Sequence, residues 1–205
     1  MTEEVRSYTA TFPWLWLTAS ITVVGADAGT LEDLRDYAGD LAARWDESRP
    51  GSELRALMAD RHAESESAES RLLSAVLLAC HGLPISAAVV PALAVDLIAA
   101  EADDTDANGW WIRLGPAGRA AGACPVGDGW RFDLPDAGWV SVRAGAVALA
   151  APVGGDVAYA AAPHAWMAMR AAYQQLTAPF VVAPIDYGPD VTAWLIPAGT
   201  TAARA

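Results

Sequence analysis

The sequence predicts an α+β fold in which a helical layer packs on a mostly antiparallel sheet. Three observations predict it. The first half carries apolar residues at helical spacing, as in Leu31, Leu34, Ala38, Leu41 and Trp45, which line one stripe of a helix. From Trp110 onward the pattern changes to short apolar runs separated by glycine and proline turns, the signature of strands and hairpins. A hydrophobic fraction of 54% in 205 residues is ample for one core, and alanine and valine supply much of it. A single domain over 1–205 is expected, helix-rich over 1–100 and strand-rich over 110–197.

Residues 8–24 read as extended. Phe12–Pro13–Trp14–Leu15–Trp16 is a dense aromatic patch; core, partner surface and ring platform are its three readings, with core favoured because Trp buries large area. The helix that follows has Thr30 as its expected N-cap and stops near Asp46–Glu47, where Ser48–Arg49–Pro50–Gly51 is turn chemistry. Ser52 then caps a short helix, ELRALMA. The polar stretch from Asp60 to Glu66 reads as a loop, with His62 and Glu66 as solvated groups and not a metal pair.

Ser67 or Ser70 opens the next helix, with Leu72, Leu73, Val76, Leu77 and Cys80 on its stripe and Gly82 and Pro84 at its end. His81 reads as a C-terminal cap. Ser86 to Ala100 is a helix with Pro91 near its start, or alternatively a buried strand. Asp104, Asp106, Asn108 and Gly109 copy the start of an EF-hand loop, but Gly115 stands where the bidentate Glu belongs. The segment therefore reads as a surface turn.

Strands are expected in Trp110–Leu114 and Ala120–Val126, joined by a turn over 115–119, then in WRFDLP, Gly138–Val142, Val147–Ala151 and VAYAA. A helix over Ala165–Leu176 carries Trp166, Met169, Ala172, Tyr173 and Leu176 on one stripe. PFVVAPIDY and DVTAWLIP read as the last strands, and Asp186–Tyr187 between them reads as a turn or, alternatively, as a proton donor or acceptor in a pocket.

Net charge is −12. That argues against nucleic acid, whose phosphates need a basic footprint, and against anionic membrane surfaces. The start, MTEEVR, is acidic and leads into no signal-peptide core. Residues 83–100 come nearest to a membrane span, but Pro84, Pro91 and Asp96 interrupt them. A cytoplasmic protein is expected. Cys80 and Cys124 fit two thiols better than a disulfide. No Gly-x-Ser-x-Gly elbow and no GxxxxGK(S/T) loop appear.

The long helix, the Arg-Pro-Gly turn and the capped short helix resemble the FAD:protein FMN transferases, the ApbE-type flavin transferases. The match lies in Trp45, Arg49, Pro50, Ser52, Glu53, Leu54 and Leu57. It continues in order through Pro91–Ala92–Leu93, Trp111–Arg113, Gly118–Arg119, Asp133–Leu134 and Gly154–Gly155–Asp156, so that it covers about residues 15–160. The resemblance implies the family's α+β fold, FAD as a cofactor, and Arg49, Ser52, Glu53, Gly154, Gly155 and Asp156 as cofactor-binding residues. Arg49 is expected to point inward.

The departures are chemical. The family's Lys-Gly pair is replaced by Pro135–Asp136–Ala137–Gly138–Trp139, and the chain contains no lysine. The family's Thr-Ser-Gly turn, His-Ile-(Ile/Val)-Asp-Pro segment and magnesium-holding Ala-Asp pair are not found, and His164 has no such context. No catalytic or metal residue is assigned. The expectation is a degenerate flavin-transferase-like protein without FMN transfer, retaining a flavin- or nucleotide-type groove or acting as a subunit. The alternative is a non-enzymatic structural or assembly protein. Nine tryptophans, several beside predicted strand ends, suggest a homo-oligomer or a protein partner.

Overall fold

The computed structural model describes residues 6–60, 67–127, 129–134, 138–150, 156–177, 185–186 and 190–196. The extended stretch expected over 8–24 is a hairpin, β1 (Ser7–Trp14) and β2 (Leu17–Val24). Its two-residue turn places Leu15 at a φ of 51°. Four helices follow: α1 (Ala28–Trp45), α2 (Glu53–Ala59), α3 (Ala68–Ala79) and α4 (Val90–Asp103). Then come strands β3 (Gly109–Leu114), β4 (Ala117–Gly122), β5 (Trp130–Leu134), β6 (Gly138–Val142), β7 (Gly145–Ala150) and β8 (Val157–Ala162). Helix α5 (Ala165–Thr177) and strands β9 (Ile185–Asp186) and β10 (Thr192–Ile196) close the described chain.

The main sheet runs in the order β1-β2-β3-β4-β7-β8-β10-β9, and each neighbouring pair is antiparallel. Helices cover one face: α1 lies on β1 and β2, α4 on β3 and β4, and α5 on β7, β8 and β10. The facing residues are mostly small, including Ala92, Ala117, Ala146, Ala148, Ala160, Ala168 and Ala172, all buried. Alanine lets helix and sheet backbones approach closely, so the layer is thin and tightly packed. On the other face the β5–β6 hairpin forms a second, aromatic core. Trp130 stacks on Trp111 at 6.4 Å, and Phe132 meets Trp111 edge-on at 6.2 Å.

All five stripe residues of α1 are buried. Its cap, however, is Asp27, whose Oδ1 accepts from the Thr30 backbone N–H at 2.9 Å, with Thr30 inside the helix. Ser67 caps α3. Leu72 departs from the expected α3 stripe and is exposed, because Leu73, Val76 and Leu77 already define the inward face. The Ser86–Ala100 segment is helical and begins with a π-helical turn over Ile85–Val89. There the Val90 N–H reaches back to the Ile85 carbonyl, a wider ring just before Pro91, which has no N–H to offer. The run Ile85–Asp103 is long and apolar enough to cross a membrane, yet Val90 to Asp96 are all buried inside the protein. The β3–β4 turn is Gly115–Pro116 alone, shorter than expected, with strand pairing resuming at Ala117.

Among the tryptophans, Trp14, Trp45, Trp110, Trp111 and Trp130 are buried, whereas Trp16 and Trp139 are half-exposed. The Trp14 indole donates to the Ala38 carbonyl at 2.7 Å, fixing α1 on the hairpin. Cys80 and Cys124 are free thiols. His62, Glu66, Tyr187 and most of the PFVVAPIDY run lie outside the described residues.

Candidate functional site

The Arg-Pro-Gly corner follows directly from its residues. Asp46 ends α1 and accepts from the Ser48 N–H at 3.0 Å and the Ser48 hydroxyl at 2.6 Å. The Arg49 N–H donates to the Asp46 carbonyl, and the Ser52 N–H to the Arg49 carbonyl. Gly51 takes a φ of +82°, which a Cβ would strain. Ser52 then caps α2, accepting from the Arg55 N–H at 3.2 Å.

Arg49 does not point inward. Its side chain is 62% exposed and pairs with Asp46 at 3.2 Å. The tight Asp46 turn holds the carboxylate next to the guanidinium at the surface, which leaves no reason to bury it. Glu53 is the inward member. Its carboxylate accepts from Arg44 Nε at 2.8 Å and Arg44 Nη2 at 3.1 Å, and from the Ser70 hydroxyl. Arg44 Nη2 also donates to the Ser67 hydroxyl at 2.6 Å. Burial pushes the Glu53 carboxyl up, but the Arg44 and Ser70 hydrogen bonds and the Arg44 charge outweigh it and hold it below the usual value. Together these atoms tie α1, α2 and α3 into one corner.

The remaining assigned residues are Gly154, Gly155 and Asp156. Gly154 and Gly155 lie outside the described residues. Asp156 is exposed just before β8. The corner belongs to α1, which lies on β1 and β2. Strand β8 stands four strand spacings from β2, roughly 19 Å at the usual interstrand distance.

A second polar cluster went unassigned from the sequence. Asp96 lies in the apolar run of α4 and is 7% exposed. Its Oδ1 accepts from the Ala165 N–H at 2.9 Å and from Arg119 Nη1 at 3.2 Å, and its Oδ2 accepts from the Trp166 N–H at 3.1 Å. His164 Nδ1 stands 3.7 Å from Oδ1, with its side chain half-exposed. A carboxylate from α4 thus caps α5 from across the layer and holds Arg119 of β4. The signal was present: a lone Asp inside a buried apolar run must be paired. Its partners, 23 and 69 residues away, carry no local pattern.

A groove of about 510 Å³ opens beside the β2–β3 end of the sheet. Leu17, Pro116 and Leu149 form apolar walls, with Arg113 and Asp133 at 4.0 Å from each other. The Arg113 guanidinium lies over the Phe132 ring at 5.0 Å and donates to the Gly115 carbonyl. Among the described residues, no three His, Cys, Asp or Glu side chains gather closely enough to hold a metal ion.

No family model and no curated protein sequence matches the chain. Solved structures do. The flavin transferase ApbE from Vibrio cholerae superposes with a TM-score of 0.66 at 12% identity, covering 84% of this chain and 87% of that one. A single-site variant of the same protein gives 0.67, covering 83% and 86%. The apo flavinyl transferase ApbE of Pseudomonas stutzeri gives 0.55 at 12% identity, covering 86% and 87%. The chain therefore has the fold of the ApbE flavin transferases, over more of its length than the motifs over 15–160 had indicated.

Proposed function

We propose that the chain is a flavin-transferase-like protein that does not transfer FMN and that uses its fold as a binding or assembly subunit. The observation that carries this reading is the occupation of the motif corner. The Ser52 hydroxyl caps α2, and both Glu53 oxygens are bonded to Arg44 and Ser70. Groups already bonded within the protein are poor candidates for holding a flavin diphosphate. The lack of lysine and the missing magnesium segments point the same way.

FAD is the cofactor that the fold brings to this reading, since the neighbours are named flavin transferases. Of the residues assigned to it from the sequence, Arg49 and Asp156 retain exposed side chains. Titration with FAD, followed by flavin fluorescence and then by mass after denaturation, tests the reading. The expected result is flavin that is either unbound or released intact on denaturation. FMN transferred to an added acceptor protein in the presence of magnesium would overturn it.

A further inference from the structure

We propose that two copies of this chain associate by pairing strand β1 with the partner's β1, antiparallel about a two-fold axis at Thr9, so that the two main sheets become one. Among the described residues, β1 ends the sheet and pairs on one side only. The direction of its free backbone groups follows from the ladder. The Gly25 N–H donates to the Arg6 carbonyl at 2.9 Å, so Arg6 bonds toward β2. Alternation puts the Tyr8, Ala10, Phe12 and Trp14 backbone groups on that same side. The close approach of the Thr9 and Thr22 hydroxyls, 2.9 Å apart, fits a pair that exchanges no ladder bonds with β2. Ser7, Thr9 and Thr11 therefore direct their N–H and C=O groups outward. Pro13 shares that direction and has no N–H to lose, the usual place for a proline on an edge.

Protein edges are normally blunted by charge, bulges or shortness. This one runs for eight residues, Ser7–Trp14, in unbroken register with β2 and without a charged side chain. It is also self-complementary. A two-fold axis at Thr9 sets Thr9 against the partner's Thr9 and Ser7 against the partner's Thr11, all exposed hydroxyl residues on one face. On the helical face it sets Tyr8 against the partner's Ala10, large against small. Phe12, whose ring already carries the Arg35 guanidinium at 5.7 Å, falls opposite the partner's Arg6. Tyr8, Ala10 and Phe12 are each only partly buried against the core, so the pairing removes apolar edge from water. Pro13 falls outside the ladder. The formal charge of −12 on each chain opposes approach, so the pair tightens as salt rises.

Sedimentation equilibrium on the full chain at tens of micromolar tests the proposal, with Thr9→Pro and Thr9→Val alongside. Thr9→Pro deletes an outward N–H while sparing the β2 ladder; Thr9→Val keeps it. The expected result is twice the chain mass for the native protein and Thr9→Val, and the chain mass for Thr9→Pro. A monomeric native protein, or a Thr9→Pro dimer, would overturn the proposal. If Thr9→Pro does not fold, Thr9→Cys in a Cys124→Ser background replaces it. Paired Cα atoms about 5.5 Å apart are within disulfide reach, so oxidation should link that variant into a dimer, and failure to link would overturn the proposal equally.

Discussion

At the α1–α2–α3 corner, Arg44, Glu53, Ser67 and Ser70 bond one another at partial exposure, with the Arg44 and Glu53 side chains 29% and 36% exposed. At the α4–β4–α5 junction, one buried carboxylate, Asp96, serves Arg119 and two backbone N–H groups, with its side chain 8% exposed. The first cluster shares its work among several groups and with water. The second concentrates it in one side chain with little solvent to replace a lost bond. Similar polar chemistry should therefore differ in energetic weight between the two places, since a low local dielectric magnifies both a made and a broken interaction.

The largest expected effect is at the junction. Asp96→Ala leaves Arg119 without its carboxylate and the first turn of α5 uncapped, and should destabilise the protein by about 3 kcal/mol. Urea unfolding followed by circular dichroism measures it, and a loss equal to that at the corner would dissolve the contrast. Ser52→Ala should cost about 1 kcal/mol from the lost cap; a change near zero in the same assay would mean that α2 does not depend on it. Arg49→Ala removes only an exposed ion pair and should change stability by less than about 0.5 kcal/mol. A larger loss would show that the guanidinium does more than pair with Asp46.

The corner also predicts a pH response. The Glu53 carboxyl is held below its ordinary value of 4.5, so its contribution to stability is present above that value. It is lost as pH falls through the lower, folded-state value. Glu53→Gln should flatten the acid side of the stability profile in that window. An unchanged acid limb would mean that Arg44 does not stabilise the ionised carboxylate.

Legibility followed the range of the interactions. The α1 stripe, the Ser52 cap, the turn at Gly51 and the strand-rich second half depend on neighbours a few residues away, and the sequence displayed them. The sheet order did not appear in the sequence, because β4 pairs with β7 across the intervening β5–β6 hairpin. The Arg49 direction was misjudged because the motif places the residue in the turn without saying which side faces solvent; Asp46, three residues earlier, decides that. Asp27 displaced Thr30 as the α1 cap because either residue suits the position, and only the backbone geometry chooses. The Asp96 junction needed three distant segments to meet, and single-residue patterns carry no record of such a meeting.

Under the proposed function, this fold of the flavin transferases operates without flavin transfer. Intact-mass measurement of an acceptor protein incubated with the chain, FAD and magnesium tests it most directly. The expected result is an acceptor of unchanged mass while a competent flavin transferase in a parallel reaction adds FMN. An acceptor that gains the mass of FMN from this chain would contradict it.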